Sequence, residues 1–263
     1  MPERSIELEQ DGPVAWVWMN RPAVHNALNQ AMIEELTETF TALGVDSTVR
    51  VIVLSGRGKS FSAGADVEYM KQQGAASGVS NLAGARTLAE MFRVIATSTK
   101  PTIARVNGAA MGGGLGLVAA CDIALASNLA FFAASEVRLG LIPSTIAPYV
   151  VRAIGGRHAR RLFQTGERIS AADAAKNGLV QESVDFEQLD VRLHAMINDL
   201  LLGAPAAQSA AKSLIDAVAG RPITEDLIED TAVRIASVRS EPEAHEGLSA
   251  FLEKRPASWV PSK

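Results

Sequence analysis

The stretch Asn107-Gly-Ala-Ala-Met-Gly-Gly-Gly-Leu-Gly116 (residues 107–116) decides the fold, because it joins an apolar strand to a helix through consecutive glycines. The strand is expected over residues 102–106, and the helix runs through Val118. Glycines let a backbone approach a ligand closely. The first turn of a helix also carries unpaired N–H groups and the positive end of the helix dipole. The stretch therefore predicts a place where backbone amides stabilise a developing negative oxygen.

Packing and phosphate binding are the alternatives to an oxyanion site at this turn. A glycine-rich turn is often needed for packing alone. Glycines also cradle phosphates, but this stretch lacks the Lys-Ser/Thr ending of a nucleoside-triphosphate loop. It also lacks a G-x-G-x-x-G pattern followed by a strand-end acid about 20 residues later. The turn by itself therefore leaves packing and oxyanion stabilisation open, with phosphate binding the weaker alternative.

Outward from this turn, strands and helices alternate through the first two thirds of the chain, and helices dominate the last third. Apolar runs predict strands over residues 14–19, 49–54, 102–106, 123–126 and 131–133. Helical spacing in the last part predicts helices over residues 157–165, 171–177, 186–202, 206–218, 225–237 and 243–254. The pattern predicts an α/β fold, with a core over residues 1–200 and a C-terminal helical region over residues 201–263.

Three local predictions depend on single residues or compositions. Asn26 is expected to cap a helix over residues 27–43. The segment Lys71–Ser80 has few groups to bury, which is typical of a mobile loop. Pro143 is expected to begin a helix that runs to about residue 154, since proline is favoured in the first helical turn.

Composition limits the partners. The 263 residues carry a net charge of −4, so the chain has no general attraction for nucleic acids or anionic membranes. The N-terminus has no apolar run of a signal peptide, and the single cysteine, Cys121, is expected to be an inert buried thiol. These features favour a cytoplasmic protein, with a matrix protein that has lost its presequence as the alternative. The four histidines show no ligand spacing, so we predict no metal site.

Two further segments join the glycine turn to form a recognisable order of motifs. Phe61-Ser-Ala-Gly-Ala-Asp66 is a second small-residue turn after a strand, and Glu136 lies in Ser135-Glu-Val-Arg-Leu-Gly-Leu-Ile-Pro143. Three more motifs fit the same order: residues 20–28 (NRPAVHNAL), 168–180 (RISAADAAKNGLV) and 251–256 (FLEKRP). Over essentially its whole length, the chain resembles the crotonase family, also called the enoyl-CoA hydratase/isomerase superfamily.

The resemblance implies a fold and an assembly. The fold would be a crotonase-like spiral of ββα turns with a helical C-terminal region that mediates trimerisation. The expected assembly is a homotrimer or a homohexamer built as a dimer of trimers. The expected partner is an acyl-CoA thioester substrate, with no cofactor beyond the coenzyme A that the substrate itself carries.

The resemblance also implies roles for individual residues. The backbone N–H groups of Ala65 and Gly113 would form an oxyanion hole for the thioester oxygen, and Glu136 would move the proton. Burial in an apolar pocket would raise the pKa of Glu136 toward neutrality, which suits proton transfer in both directions. Residues implied in binding the substrate are Arg21, Ala23, His25, Ala63, Asp66, Val67, Gly112, Ser144 and Lys254. Of these, Arg21 could meet a phosphate or form only a surface salt bridge. Lys254 could reach the coenzyme of a neighbouring subunit or be an ordinary solvated surface lysine.

The chain departs from the family pattern at Gly116. Hydratases with two glutamates carry the second one there, and Ser144 offers only a hydroxyl where some relatives have an acid. Three interpretations follow, in order of preference. The first is a hydratase that uses Glu136 alone, since the run Gly140–Val151 resembles that of hydratases acting on branched or carboxylated enoyl-CoAs. The second is a Δ3–Δ2 enoyl-CoA isomerase with Glu136 as its one base, and the third is a non-catalytic binding or scaffold protein.

Overall fold

A computed structural model describes residues 4–261 and shows a mixed α/β fold built on a six-stranded sheet. Its strands are β1 (Ile6–Asp11), β2 (Val14–Met19), β3 (Val51–Gly56), β4 (Thr102–Val106), β6 (Ile123–Ser127) and β9 (Glu182–Val184), in the order β1-β2-β3-β4-β6-β9. The hairpin partners β1 and β2 are antiparallel, and every other neighbouring pair is parallel. The carboxyl ends of the parallel strands therefore meet at one edge.

A smaller three-stranded sheet lies beyond that edge. It consists of β5 (Ala110–Met111), β7 (Phe131–Ala133) and β8 (Ile169–Ser170), in the order β5-β7-β8. The chain passes from a long strand of the first sheet to a short strand of the second and then into a helix, as in the run from β4 through β5. This repeated strand–strand–helix unit is the predicted ββα turn.

Ten α-helices complete the fold within residues 4–261. They are α1 (Gln30–Val45), α2 (Val67–Ala75), α3 (Gly78–Ala96), α4 (Gly113–Ala120), α5 (Ala147–Thr165), α6 (Ala171–Lys176), α7 (Leu189–Leu202), α8 (Pro205–Val218), α9 (Glu225–Arg239) and α10 (Pro242–Glu253). The predicted C-terminal helices are confirmed with small shifts at their ends. The predicted boundary at residue 200 falls inside α7, and the division into two regions stays a prediction.

Alternation along the central strands places a hydrophobic core on each face of the six-stranded sheet. Ile52 and Leu54 of β3 face the larger core, which α1, α3 and α4 cover. Val51 and Val53 face the other way, against Leu193 and its neighbours on α7. Because both faces are covered, the central strands are continuous apolar runs, as is typical of parallel sheets.

The predicted start of the first helix and the loop predicted over residues 71–80 were wrong. The first helix begins at Gln30 and is capped by Asn29, whose side chain accepts from the Met32 N–H. Asn26 has a left-handed backbone and lies outside the helix. The segment predicted as the mobile loop 71–80 is instead the end of α2 and the start of α3. Two side chains, Asp66 and Ser77, cap these helices and offset their weak hydrophobic pattern.

The helix predicted from Pro143 was also misplaced. Residues 143–146 form a turn, and α5 begins at Ala147 with Pro148 in its first turn. The two helices predicted over residues 143–154 and 157–165 are one element, kinked at Gly155 where φ is +70°. Within the described residues, no helix is both long enough and apolar enough to cross a bilayer.

Candidate active site

Ser62 joins the two glycine-flanked turns that the sequence singled out. Its N–H donates to the Ala109 carbonyl at 3.0 Å, and its carbonyl accepts from the Met111 N–H at 2.9 Å. A methyl group added at Gly114 would lie 2.8 Å from the Ser62 side chain. Main-chain hydrogen bonds therefore hold the segment after β3 beside the segment after β4.

The closest approach of the two turns is at Gly64. A Cβ atom built on Gly64 would lie 2.7 Å from the Met111 oxygen and 3.4 Å from the Gly113 nitrogen. Gly64 also has φ +89°, a conformation that other residues rarely adopt. Glycine is therefore required here for two reasons, and the Ala65 and Gly113 amides lie on adjoining strands of backbone.

The N–H groups of Ala65 and Gly113 donate to no protein acceptor within residues 4–261. Leu28 forms a parallel bridge with Ala65, in which the Leu28 N–H donates to Gly64 and the Leu28 carbonyl accepts from Asp66. The Ala65 amide therefore points away from Leu28. The Gly113 amide is the first of α4, where the helix itself supplies no acceptor. Two unpaired donors on neighbouring turns can bind one oxygen with developing negative charge.

Glu136 brings a carboxylate to this place. It begins a single 3-10 turn just after β7, and a Cβ atom on Gly112 would lie 3.1 Å from its Oε1. Its Oε2 is buried and has no hydrogen-bond partner in the part of the chain that the structure describes. Burial raises the pKa of Glu136 above that of an ordinary glutamate, more than its hydrogen bond to a backbone amide lowers it. The carboxyl group therefore keeps its proton to higher pH than an ordinary glutamate does, which suits a group that donates a proton to a ligand.

Gly112 connects the carboxylate to the amides. Its N–H donates to the Ala133 carbonyl at the end of β7 at 2.8 Å. Its φ of +47° is again a conformation suited to glycine. The short second sheet thus fixes the distance between Glu136 and the first turn of α4.

Gly116 is closed to a second carboxylate. A Cβ atom there would overlap the Ile146 side chain and would lie 2.9 Å from Cε1 of Phe92. Both neighbours belong to the larger core, with 2% and 0% of their surface exposed. A glutamate at this position has no space, so the first turns of α4 cannot supply a second carboxylate from position 116.

We expect Gly116→Ala to destabilise the protein by about 1–3 kcal/mol, because a methyl group would overpack the core between Ile146 and Phe92. Urea unfolding followed by circular dichroism measures the change. Gly44→Ala in α1 is the matched control, because nothing lies within 4 Å of a Cβ atom there. It should be neutral or stabilising by up to about 1 kcal/mol. Equal stabilities for the two variants would contradict the packing described for Gly116.

The predicted salt bridge of Arg21 is present. Its Nη2 lies 3.0 Å from Asp66 Oδ2, and its Nη1 donates to the Ala27 carbonyl at 2.5 Å. Asp66 also caps α2 by accepting from the Glu68 N–H. Although burial opposes it, hydrogen bonds from Arg21 and the helix amides hold the pKa of Asp66 below its usual value. The guanidinium is therefore committed to the protein, and its contact with a phosphate stays a prediction.

The remaining residues predicted to bind coenzyme A fall into two groups. Ala23, His25, Ala63 and Val67 are exposed, and the Ala63 N–H donates to the His25 carbonyl at 2.9 Å. They form an exposed ledge that continues from Ala65. Two others are not joined to this ledge by any hydrogen bond or ion pair within residues 4–261. Ser144 lies on the exposed loop after Glu136, and Lys254 directly follows α10.

Sequence reasoning missed two supporting residues. The Leu28 side chain lies against the first turn of α4, since a Cβ atom on Gly113 would be 2.7 Å from its Cδ1. Asn26 was interpreted as a helix cap, yet it is fully buried and hydrogen-bonded to several loops. Asn26 lies in a proline-containing turn, and asparagine tolerates the left-handed conformation that such turns use. These two facts could have indicated a structural asparagine in a loop.

A separate cavity among the described residues lies elsewhere, at the far end of α4. It has a volume of about 520 Å³ and lies between the core and α8, where Lys212 forms an ion pair with Asp122 at 2.9 Å. Cys121 lines it, and desolvation raises the pKa of this thiol to about 12, so the nucleophilic thiolate is scarce. Within residues 4–261 no three His, Cys, Asp or Glu side chains are grouped to hold a metal ion.

Comparison with known proteins assigns the family. Residues 9–261 match the family model described as enoyl-CoA hydratase/isomerase. The chain is 34% identical to the short-chain-enoyl-CoA hydratase of Clostridium acetobutylicum, with 95% of each chain covered. It is 32% identical to the crotonyl-CoA hydratase of Syntrophomonas wolfei, with 99% of each covered. The crystal structure of an enoyl-CoA hydratase from Shewanella pealeana superposes with a TM-score of 0.94 at 37% identity, covering 97% of this chain and 96% of that one. The predicted crotonase fold is confirmed, and this chain belongs to the enoyl-CoA hydratase/isomerase family.

Proposed function

We propose that this protein is an enoyl-CoA hydratase, which adds water across the C2=C3 bond of a 2-enoyl-CoA thioester. The observation that carries the proposal is the unpaired, buried Oε2 of Glu136 beside two backbone amides that have no protein acceptor within residues 4–261. Relatives matched over nearly their whole length are named as hydratases, which favours water addition over double-bond migration.

In this mechanism the thioester oxygen lies between the N–H groups of Ala65 and Gly113. Negative charge collects on that oxygen when a nucleophile attacks C3, and fixed donors stabilise the charge without reorganising. The side chains at these two positions, a methyl group and a hydrogen atom, contribute only their small size. The exposed ledge of Ala23, His25, Ala63 and Val67 would bind the pantetheine and nucleotide of coenzyme A.

One carboxyl group can account for both protons of the addition. Glu136 in its acid form gives its proton to C2, and the water oxygen forms a bond to C3. The water then loses one proton to the carboxylate, which restores the acid. The C2=C3 π bond and one O–H bond break, and one C–O and one C–H bond form. The chain, the substrate and water supply every group in this account.

The assay is the loss of enoyl-thioester absorbance when the purified protein is given crotonyl-CoA or a branched, carboxylated enoyl-CoA. Faster loss with the branched substrate would assign the narrower substrate class. Because position 116 has no room for a second carboxylate, a Δ3–Δ2 isomerase with Glu136 as its base is the second candidate. Conversion of a 3-enoyl-CoA without water uptake by any 2-enoyl-CoA would replace the hydratase proposal. Failure to bind coenzyme A thioesters would favour a scaffold protein.

We also propose that the protein assembles as a homotrimer or a homohexamer. Large apolar side chains are exposed on the last helix, where Phe251 is 79% and Leu252 78% exposed. Ile142, on the loop that follows Glu136, is 75% exposed. Apolar surface of this kind is typical of an interface between subunits. In such an assembly Lys254 could reach the coenzyme of a neighbour, and light scattering of a monomer would contradict the proposal.

A further inference from the structure

Asn26 is a buried asparagine whose side chain joins three segments of backbone. It is 0% exposed. Its Oδ1 accepts from the Arg21 N–H at 2.9 Å, and its Nδ2 donates at 2.9 Å to both the Arg57 and Ser60 carbonyls. Both amide hydrogens and one carbonyl lone pair are therefore used. A buried polar group satisfied to this extent specifies one arrangement of the loops around it.

The backbone at this position is strained. His25 and Asn26 have φ values of +54° and +56°, and Lys254 is the one other residue besides glycine with positive φ within residues 4–261. Two consecutive left-handed residues other than glycine persist only when their surroundings fix them. The three side-chain hydrogen bonds of Asn26 contribute to that restraint, together with the main-chain bond from the Asn26 N–H to the Arg21 carbonyl at 2.9 Å.

The restrained turn pairs with the segment that carries the Ala65 amide. The Ala63 N–H donates to His25, the Leu28 N–H donates to Gly64, and the Asp66 N–H donates to Leu28. The Asn26 carbonyl also accepts from the Ser62 hydroxyl at 2.8 Å, and that hydroxyl accepts from the Gly64 N–H at 3.2 Å. The segment 62–66, which carries the Ala65 amide, is thus hydrogen-bonded to residues 25–28.

We infer that Asn26 is a positioning residue for the oxyanion hole, one that holds the Ala65 amide toward the thioester oxygen. The inference rests on the proposed function. Asn26 does not touch the substrate and acts through Ser62, Gly64 and Leu28. Without its side chain the register between residues 25–28 and 63–66 loosens. A misplacement of about 1 Å at a reacting group can cost on the order of a hundredfold in rate.

The test is Asn26→Gly, which accepts the left-handed backbone and removes only the side chain. We expect kcat for hydration to fall about 10- to 100-fold with KM changed less than about threefold. The second readout is the infrared stretch of a ¹³C-labelled thioester carbonyl in bound butyryl-CoA, which cannot be hydrated. Bound to the wild type, it should shift to lower frequency than in water, and Asn26→Gly should lose much of that shift.

Asn29→Gly is the matched control, since Asn29 caps α1 and makes no contact with residues 62–66 in the hydrogen-bond network. It should lose stability while keeping kcat and the carbonyl shift. Asn26→Asp, of equal size, lacks the two donated bonds and should behave as Asn26→Gly does. An unchanged carbonyl shift in both Asn26 variants, or failure of both to fold, would overturn the inference. A wild type that shows the shift but hydrates nothing would contradict the proposed function alone.

Discussion

Replacing Glu136 by Gln is expected to reduce kcat for hydration by about 10²–10⁴-fold, the range that a general acid contributes. Glutamine has the size of glutamate but cannot give a proton to C2 or take one from water. The folding and the binding of coenzyme A thioesters should survive, because the Glu136 carboxylate makes few hydrogen bonds and its Oε2 makes none within residues 4–261. Stopped-flow absorbance with an enoyl-CoA measures the rate, and calorimetry with butyryl-CoA measures the binding.

The pH dependence follows from the direction of the pKa shift. Burial raises the pKa of Glu136, so its acid form persists to higher pH than that of an ordinary glutamate. Since the acid form donates the proton, kcat should be highest below this pKa and fall as pH rises through it. The residual activity of Glu136→Gln should lack that fall. A wild-type rate that rises across the same range would mean that the carboxylate form is the active one.

The raised pKa of Glu136 also predicts that Glu136→Gln stabilises the folded protein at pH values above that pKa. A carboxyl whose pKa is raised by folding contributes stability in its protonated form, and that contribution is lost as pH rises through the folded pKa. A neutral amide avoids the cost of burying a charge. Glu136→Gln should therefore unfold at a higher temperature than the wild type above this pKa, with the difference vanishing at acid pH. A lower melting temperature at every pH would point to a structural role for the carboxylate.

Gly113→Pro is expected to lower kcat by about a hundredfold or more, because it deletes one of the two oxyanion donors. Proline is favoured in the first turn of a helix, and Gly113 is the first residue of α4. Its N–H has no protein acceptor within the described part of the chain, so no internal hydrogen bond is lost. Single-turnover rates with saturating enoyl-CoA report the loss in the chemical step.

Gly113→Ala is the matched control for that deletion. It keeps the amide and makes the same close contact with the Leu28 side chain, which can move. The ratio of the proline and alanine variants therefore isolates the hydrogen bond from the steric change. If alanine and proline lower kcat equally while both fold, the Gly113 amide does not bind the reacting oxygen.

Much of the fold was readable from the sequence because its periodicities are strong. The central strands are runs of apolar residues, and the helices after Gly156 keep helical spacing. The first strand was not predicted, because β1 is an edge strand with four exposed positions and its charges conceal the alternation. The prediction of a loop over residues 71–80 was wrong for a different reason. The helices of this segment depend on the capping side chains of Asp66 and Ser77, while its composition favours a loop.

The candidate site was predicted in part. The two amide-bearing turns and Glu136 were identified by motif, and the structure brings them together through Ser62 and Gly112. The buried hydrogen bonds of Asn26 could not be read from its neighbours in sequence. Its partners Arg57 and Ser60 are more than thirty residues away, and a helix cap looks the same as a loop anchor until the chain is folded.

The packing of Ile146 and Phe92 against Gly116 restricts how a second catalytic acid could be introduced into this protein. A glutamate introduced alone would meet Ile146 and Phe92 and destabilise the protein before it could act. Space for the same substitution requires smaller side chains at both Ile146 and Phe92. The changes are therefore epistatic, and directed evolution toward a second catalytic acid should have to relieve both contacts first.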